Sequence, residues 1–564
     1  MERKEKYDAA SDTAPMPDLD GGQNVSVSDA EGGIKRDLSS RHINMIAIAG
    51  MIGTGLFLSS GSVIATAGPA GALLAYIVMG FVTAGVSYTT GEITSFMPAT
   101  GGFIRHATKF VEPALGAATG WNFWYTMAIS VPAEISAAAT LVQFWNTSVN
   151  PAVWITIFLL FIIVVNFAGV RLYGETEVVF ASLKIMTIIG LIIGGLVINL
   201  GGGPNHERLG FRYWQDPGAF NSYIVPGSAG GFLAFWKVLL SAAFSYGNIQ
   251  VVAISGSETR HPRKIIPAAT RKTFFRVFVF YVLSILIVGM IVPSNDPALS
   301  VSTGTAQQSP FVIAFTRSGV SVLPSIINAV VCTSAISSGS ACVFIASRTL
   351  YGLSCDGHAP RILQRCNRFG TPYVAVALTC VLFPLVYLNV GNNTSVVFGW
   401  FVNITTVAGL IGWIVIEVTY LRFYAGLKAQ GYSRKGKTPV PHQSPKSFAD
   451  VPVADLPYRS PGQPYVSWIT LVAVVLVVFF SGFDVFTTGN FTAPGFLTCY
   501  LNVFIFAALY VFFKFYLKSR VISPSQMDFE TEFASIRQEK AESEVFDTRE
   551  TGLKSSFRKL IHSV

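Results

Sequence analysis

Long apolar stretches fill most of the chain and alternate with short polar segments. A helix needs about 20 mainly apolar residues to cross a bilayer. Twelve stretches fit this length and are numbered here as spans one to twelve. They cover residues 43–67, 72–97, 116–144, 152–169, 178–200, 233–256, 273–293, 322–350, 372–390, 395–421, 465–486 and 494–517. The pattern predicts an all-α polytopic membrane protein with twelve transmembrane helices.

Charged residues are concentrated at the two ends of the 564-residue chain. Residues 1–40 hold 14 of them and residues 519–564 hold 15, whereas the sequence between carries about 9%. A soluble protein carries about 25%. We therefore expect a membrane domain over residues 41–518. A disordered N-terminal tail and a polar C-terminal tail would flank it.

Lys and Arg in the loops indicate the orientation, because cytoplasmic loops collect these residues. With the N-terminus inside, the inner loops hold eighteen of them, and the outer loops hold only Arg208, Arg212 and Arg317. We therefore expect both termini to be cytoplasmic. The same rule accounts for the net charge of +9 without a nucleic-acid partner.

Two spans contain sequence that weakens a helix near mid-membrane. Span one holds Gly50, Gly53 and Gly55, and span six holds residues 244–248 (FSYGN). Each glycine costs about 1 kcal/mol relative to alanine in a helix. Non-helical backbone at this depth is tolerated where it lines a cavity or is buried in protein. Interrupted helices at corresponding positions of two halves indicate a transporter site.

Unwound backbone at the two positions offers complementary charge. Amides freed at the positive end of a half-helix suit a carboxylate, and freed carbonyl groups suit an ammonium. A zwitterionic α-amino acid satisfies both. The predicted substrate-binding residues in these segments are Ile52, Gly53, Thr54, Gly55, Phe244, Ser245, Tyr246, Gly247 and Asn248. The alternative is that the glycines only permit close helix packing.

Several ordered segments carry a resemblance to a known family. Residues 52–57 (IGTGLF) resemble the first helix of the amino acid–polyamine–organocation permeases. Residues 120–125 (GWNFWY) with 132–134 (PAE), 347–353 (SRTLYGL) and 456–459 (LPYR) resemble the fungal amino acid permease branch. The resemblance runs from about residue 38 to 520.

This resemblance implies a secondary transporter with a five-plus-five inverted repeat, the LeuT-like arrangement, plus two extra helices. Repeat one would cover about 43–200, repeat two about 233–421, and the extra helices 465–517. Spans one and six then correspond. The resemblance also implies proton symport of amino acids into the cell at a fungal plasma membrane. The proton gradient would supply the energy, without a cofactor.

Span six departs from the family pattern. The chain has Asn248 and Gln250 where the family usually carries Gly and Glu, whereas the later Glu258 matches. Loss of an acid beside the site would change the substrate range or the proton coupling.

Glu134 and Lys184 are ionisable residues inside predicted spans, where a central charge costs about 2.5–3.5 kcal/mol. Glu134 matches the family's third helix, and we interpret it as a substrate-site carboxylate that shapes the pocket or binds a proton. The alternative is a structural bond to a neighbouring helix. The resemblance implies that Lys184 lies where sodium-coupled relatives hold an ion, so we assign it to proton coupling. The alternative is a lysine that snorkels to the inner surface.

Aromatic residues supply candidate gates. Phe244 lies at the predicted break in span six, and the resemblance places an outer gate and side-chain selection around Trp400 and Phe401 in span ten. Lys237, Glu417 and Asp484 lie near span ends, and we expect them to snorkel or to lie at the interface.

The leading hypothesis is thus a proton-coupled importer of L-amino acids. One alternative is an exchanger or vacuolar carrier, and another is a transport-poor amino acid sensor. An enzyme is not expected, because the sequence shows no nucleophile–base pair, phosphate loop or metal cluster. The expected partners are an amino acid, the lipid bilayer and ubiquitin-ligase adaptors on the cytoplasmic tails.

Overall fold

The predicted helical class is confirmed. A computed structural model describes residues 53–99, 101–145, 148–167, 170–251, 262–300, 309–320, 322–391, 394–432, 434 and 456–539, which contain no β-strand. Their longer helices are α1 (Ser60–Phe96), α2 (Phe103–Phe110), α3 (Pro113–Val142), α4 (Pro151–Phe167), α5 (Val170–Asn199), α6 (Gly227–Ser245), α7 (Pro262–Ile291), α8 (Pro310–Arg317), α9 (Leu323–Cys355), α10 (Tyr373–Cys380), α11 (Thr394–Ala429), α12 (Tyr465–Phe479) and α13 (Ala493–Tyr516).

The helices agree with the twelve predicted spans. Eight described segments are long and apolar enough to cross a membrane, and three shorter apolar helices accompany them. Spans one and two share one segment, Gly55–Phe96, which is broken at Gly68 with φ +74°. A side chain at Gly68 would meet the backbone of Ala219 at 2.7 Å, so glycine suits both the conformation and the close approach.

Helices of the two predicted repeats pack against their counterparts. The segment that opens with Gly55 contacts α6, α1 contacts α7, and α3 contacts α9. Span three packs against span ten (α3–α11), and span eight packs against span five (α9–α5). Each of these two contacts is the counterpart of the other in the opposite repeat. These are the contacts expected of a five-plus-five inverted repeat, in which spans one, six, three and eight surround the centre.

One end of the bundle, predicted to be cytoplasmic and called here the inner face, is covered by residues 519–539, the C-terminal strap. Its side chains Met527, Phe529, Phe533 and Ile536 are buried among the ends of α1, α2 and α11. Backbone bonds extend the contact, because the Ile522 amide donates to the Val111 carbonyl at 2.9 Å. The strap therefore folds as part of the membrane domain.

Candidate functional site

The predicted break in span six is present. Helix α6 ends at Ser245, and the Gly247 amide donates to the Phe244 carbonyl at 3.1 Å instead of continuing the helix. Asn248 has φ +67°, a left-handed conformation that Asn adopts more readily than most residues. Helical geometry resumes only at Val251. A turn of this kind frees carbonyl groups that a continuing helix would pair with its own amides.

The described part of span one begins opposite this turn, at Gly53. Gly53 and Thr54 form a bend that leads into a wide π-helical turn, Gly55–Ser59. The amides of Phe57 and Leu58 donate to the Thr54 carbonyl at 3.1 and 2.9 Å. The amides of the preceding residues therefore form the start of a half-helix. Ile52 lies outside the described residues.

A cavity, called here the first chamber, lies between the start of this half-helix and the turn after Ser245. Seven predicted substrate-binding residues line it: Gly53, Gly55, Glu134, Phe244, Ser245, Gly247 and Asn248. Four residues without a predicted role complete the wall: Ser130, Ala133, Ser338 and Cys342. The structure thus brings spans one, three, six and eight together at one point.

Two predicted binding residues do not face the first chamber. The Thr54 side chain is buried beside Glu134. Tyr246 packs against Tyr76 and Tyr281, and its hydroxyl donates to the Tyr76 carbonyl at 3.1 Å. The turn after Ser245 directs this ring toward α1 and α7, so its predicted contact with substrate is not supported.

A buried cluster of charged residues adjoins the first chamber. Lys184 is 1% exposed, and its Nζ donates to Ser338 Oγ at 3.1 Å. Two carboxylates, Glu134 and Glu177, act electrostatically on this ammonium. Glu134 faces the chamber, since a Cβ on Gly53 would lie 2.9 Å from its Oε1. Lys184 therefore points into the bundle and does not snorkel to the surface.

Glu177 was missed by sequence reasoning. Its side chain is 1% exposed, and Ser337 Oγ donates to its two carboxylate oxygens at 3.0 and 2.9 Å. The predicted span five begins at 178, whereas helix α5 begins at Val170, so this acid lay outside the predicted span. A signal was available, because Glu177 precedes Lys184 by seven residues, two helical turns on the same face.

A second chamber adjoins the first, and the two share the wall formed by Ser130, Phe244, Gly247 and Asn248. The second chamber is also lined by residues of α3, α6 and α11 and by Gln250: Thr126, Ala243, Gln250, Thr405, Thr406, Gly409, Leu410 and Trp413. None of the described residues that line it is charged.

The predicted gate residues of span ten lie beside these cavities. Neither Trp400 nor Phe401 belongs to the described lining of either chamber. Both pack in a cluster with Ile129 and Ala133 of α3. Their gating role stays a prediction. The ring that meets Phe244 is that of Phe398, edge-on, with centroids 6.4 Å apart.

One interpretation of a charged residue near a span end was wrong. Glu417 is completely buried, and its Oε2 accepts a bond from Thr89 at 3.1 Å. Helix α11 extends to Ala429, so the residue lies well inside the bundle. Lys237 and Asp484 form a partly exposed ion pair of 2.7 Å.

The amino-acid sequence is similar to that of known proteins. The amino acid permease family profile matches residues 42–438 and 448–522. The chain is 41% identical over 491 residues to a proline-specific permease of Emericella nidulans, covering 86% of each chain. It is 37% identical to the dicarboxylic amino acid permease of Saccharomyces cerevisiae, covering 88% of this chain and 80% of that one. It is 36% identical to the lysine-specific permease of the same yeast, with coverage of 87% and 77%.

A solved structure shares the fold. A manganese transporter from Eremococcus coleocola aligns with a TM-score of 0.51 at 13% identity, covering 87% of this chain and 98% of that chain. The sequence matches go further than the fold, since the family profile spans most of the chain and several relatives exceed 30% identity. The chain therefore belongs to the amino acid permease family, whose members are transporters and not enzymes.

Proposed function

We propose that this amino acid permease imports L-amino acids by proton symport, with alternating access around the first chamber. The observation that carries the proposal is the buried cluster of Glu134, Lys184 and Glu177 at the chamber wall. Such a cluster can bind and release a proton next to the substrate. Membership of the family already implies amino acid transport. The coupling to protons and the inward direction of transport are what we propose in addition.

The two helix breaks would hold the groups common to all amino acids. The half-helix that begins at Gly53–Gly55 presents amides and a positive dipole end, which favour the substrate carboxylate. The turn after Ser245 presents carbonyl oxygens, and Glu134 adds a carboxylate on the same chamber. Both favour the substrate ammonium.

The charge balance of the cluster supports proton binding. With all three groups ionised, two carboxylates and one ammonium leave one uncompensated negative charge in a buried place. Buried charge without a partner is strongly unfavourable. One bound proton would balance it, whereas a zwitterionic amino acid brings an ammonium and a carboxylate and so adds no net charge. Loading with substrate and proton together would therefore favour a neutral, closed site that can change its access.

The relatives' names support an amino acid as cargo, but they differ in which one. Proteins named for proline, dicarboxylic amino acids and lysine are all 36–41% identical to this chain. The choice of substrate within the family therefore rests on few side chains. We place the permease in the plasma membrane with both termini in the cytoplasm, where ubiquitin-ligase adaptors would bind the tails.

Proton movement tests the proposal directly. Cells that express the permease are suspended in weakly buffered medium, and amino acid is added while external pH is recorded. Symport predicts transient alkalinisation that saturates with the same KM as uptake, and vector-only cells give none. Uptake without any pH change contradicts proton coupling. The same cells, stained for the permease, show whether it lies at the cell surface.

A further inference from the structure

The second chamber is positioned to receive the side chain of a substrate bound in the first. The two chambers share Phe244, Gly247 and Asn248, all at the break in span six. When the α-amino and α-carboxyl groups of an amino acid occupy the breaks, only its side chain can extend into the second chamber. The choice of side chain by the second chamber rests on this proposed binding mode.

The orientation of the Gln250 amide follows from its neighbour. Trp413 Nε1 lies 3.0 Å from the Gln250 side-chain oxygen, and Gln250 is only 2% exposed. An indole N–H can donate but cannot accept. The atom that faces Trp413 must therefore be the oxygen, and the NH2 group is the part of this amide left for the chamber.

The hydroxyl groups of the second chamber are available as hydrogen-bond acceptors, in contrast to the Gln250 NH2 group, which is a donor. Thr126, Thr405 and Thr406 each donate to a carbonyl one turn earlier in their own helix, at 2.8, 2.8 and 2.5 Å. Ser130 does the same at 2.7 Å. Because each hydroxyl has one hydrogen, their remaining capacity is to accept.

We propose that the second chamber binds a side-chain carboxamide, that of glutamine or asparagine. The Gln250 NH2 donates to the carboxamide oxygen, and threonine and serine oxygens accept from the carboxamide NH2. A carboxylate side chain would meet several lone pairs and no cation. A lysine or arginine side chain would meet the Gln250 donor and no acid. An apolar side chain would leave these polar groups unpaired, which is unfavourable in a buried site.

The experiment compares uptake of glutamine, asparagine, glutamate, lysine and alanine in permease-deficient cells. The expected result is a kcat/KM for glutamine or asparagine at least about tenfold above the other three. Two satisfied hydrogen bonds together are enough for at least about a tenfold difference. Equal or better transport of glutamate, lysine or alanine overturns the proposal.

A matched pair of variants assigns the preference to Gln250. Gln250→Glu keeps an acceptor for Trp413 but removes the donor, so the carboxamide-to-alanine ratio of kcat/KM should fall about tenfold. Gln143→Glu makes the same change at the end of α3, away from both chambers, and should keep the wild-type ratio. An unchanged ratio in Gln250→Glu contradicts the inference. Proton-coupled alanine uptake without carboxamide preference would leave the proposed function standing, whereas absence of all uptake at normal surface expression would overturn both.

Discussion

Gly55 and Ser245 are in direct contact across the centre of the bundle. A Cβ on Gly55 would lie 2.9 Å from Ser245 Oγ and 3.0 Å from Ser245 Cα. The same Cβ would lie 3.1 Å from the Phe244 ring. The broken segments of spans one and six are thus held together where both line the first chamber, and only glycine fits between them.

Gly55→Val should abolish amino acid uptake while surface expression remains. The branched side chain would push the span-one break away from Ser245 and misplace the amides that hold the substrate carboxylate. Radiolabelled uptake and surface biotinylation are measured on the same cells. Gly190→Val is the control, because nothing lies within 4 Å of a Cβ at Gly190. Normal uptake by Gly55→Val would rule out this placement of the carboxylate site.

Lys184→Arg should abolish accumulation against a gradient. Arginine keeps the positive charge but does not release its proton at cellular pH. Accumulation ratios at several external pH values test this. Lys237→Arg is the control, since Lys237 forms an ion pair with Asp484 away from the charged cluster. If Lys184→Arg accumulates substrate with the wild-type pH dependence, Lys184 does not carry the proton step.

The C-terminal strap should contribute to stability. Phe529 and Phe533 are each 1% exposed, and a buried Phe→Ala change costs about 3–5 kcal/mol. Either substitution should therefore lower the melting temperature in detergent by several degrees. Phe512→Ala is the control, because the Phe512 side chain is 58% exposed. Equal melting temperatures for the two kinds of variant would show that the strap is not a structural part of the domain.

His106 in α2 should make the protein less stable in acid. Burial lowers the pKa of His106 to about 4 from an ordinary value of 6.5. Between about pH 4 and pH 6.5 the unfolded chain therefore binds more protons at this residue than the folded protein does. The His106 contribution is complete above about pH 6.5 and is lost as pH falls toward 4, by at most about 1.4 kcal/mol per pH unit. Melting curves at pH 7 and 5 should differ less for His106→Gln than for wild type, and equal differences would contradict this assignment.

The sequence predicted the helices, the break in span six and the weak point where the described helix of span one begins, because each depends on local composition. Apolar stretches of membrane length locate the spans, and Gly53, Gly55 and Gly247 locate the weak points. The charged residues Glu134 and Lys184 were identifiable for the same reason, since a charge within an apolar stretch stands out.

The residues that sequence reasoning missed depend on contacts between distant helices. The bond from Trp413 to Gln250 joins α11 to the break after α6, and no local pattern indicates it. The direction of Tyr246 depends on the geometry of the turn that begins at Ser245. Glu177 was missed because the predicted span five begins at 178, whereas helix α5 begins at Val170. Glu417 was missed because helix α11 is longer than its apolar core.

The most direct test of the central claim is uptake of a labelled amino-acid panel in permease-deficient fungal cells, with and without a protonophore. The account predicts that at least one amino acid accumulates and that its accumulation collapses when the proton gradient is removed. Accumulation that persists without the gradient would indicate exchange and contradict proton symport. Surface expression without any uptake would contradict the proposed function itself.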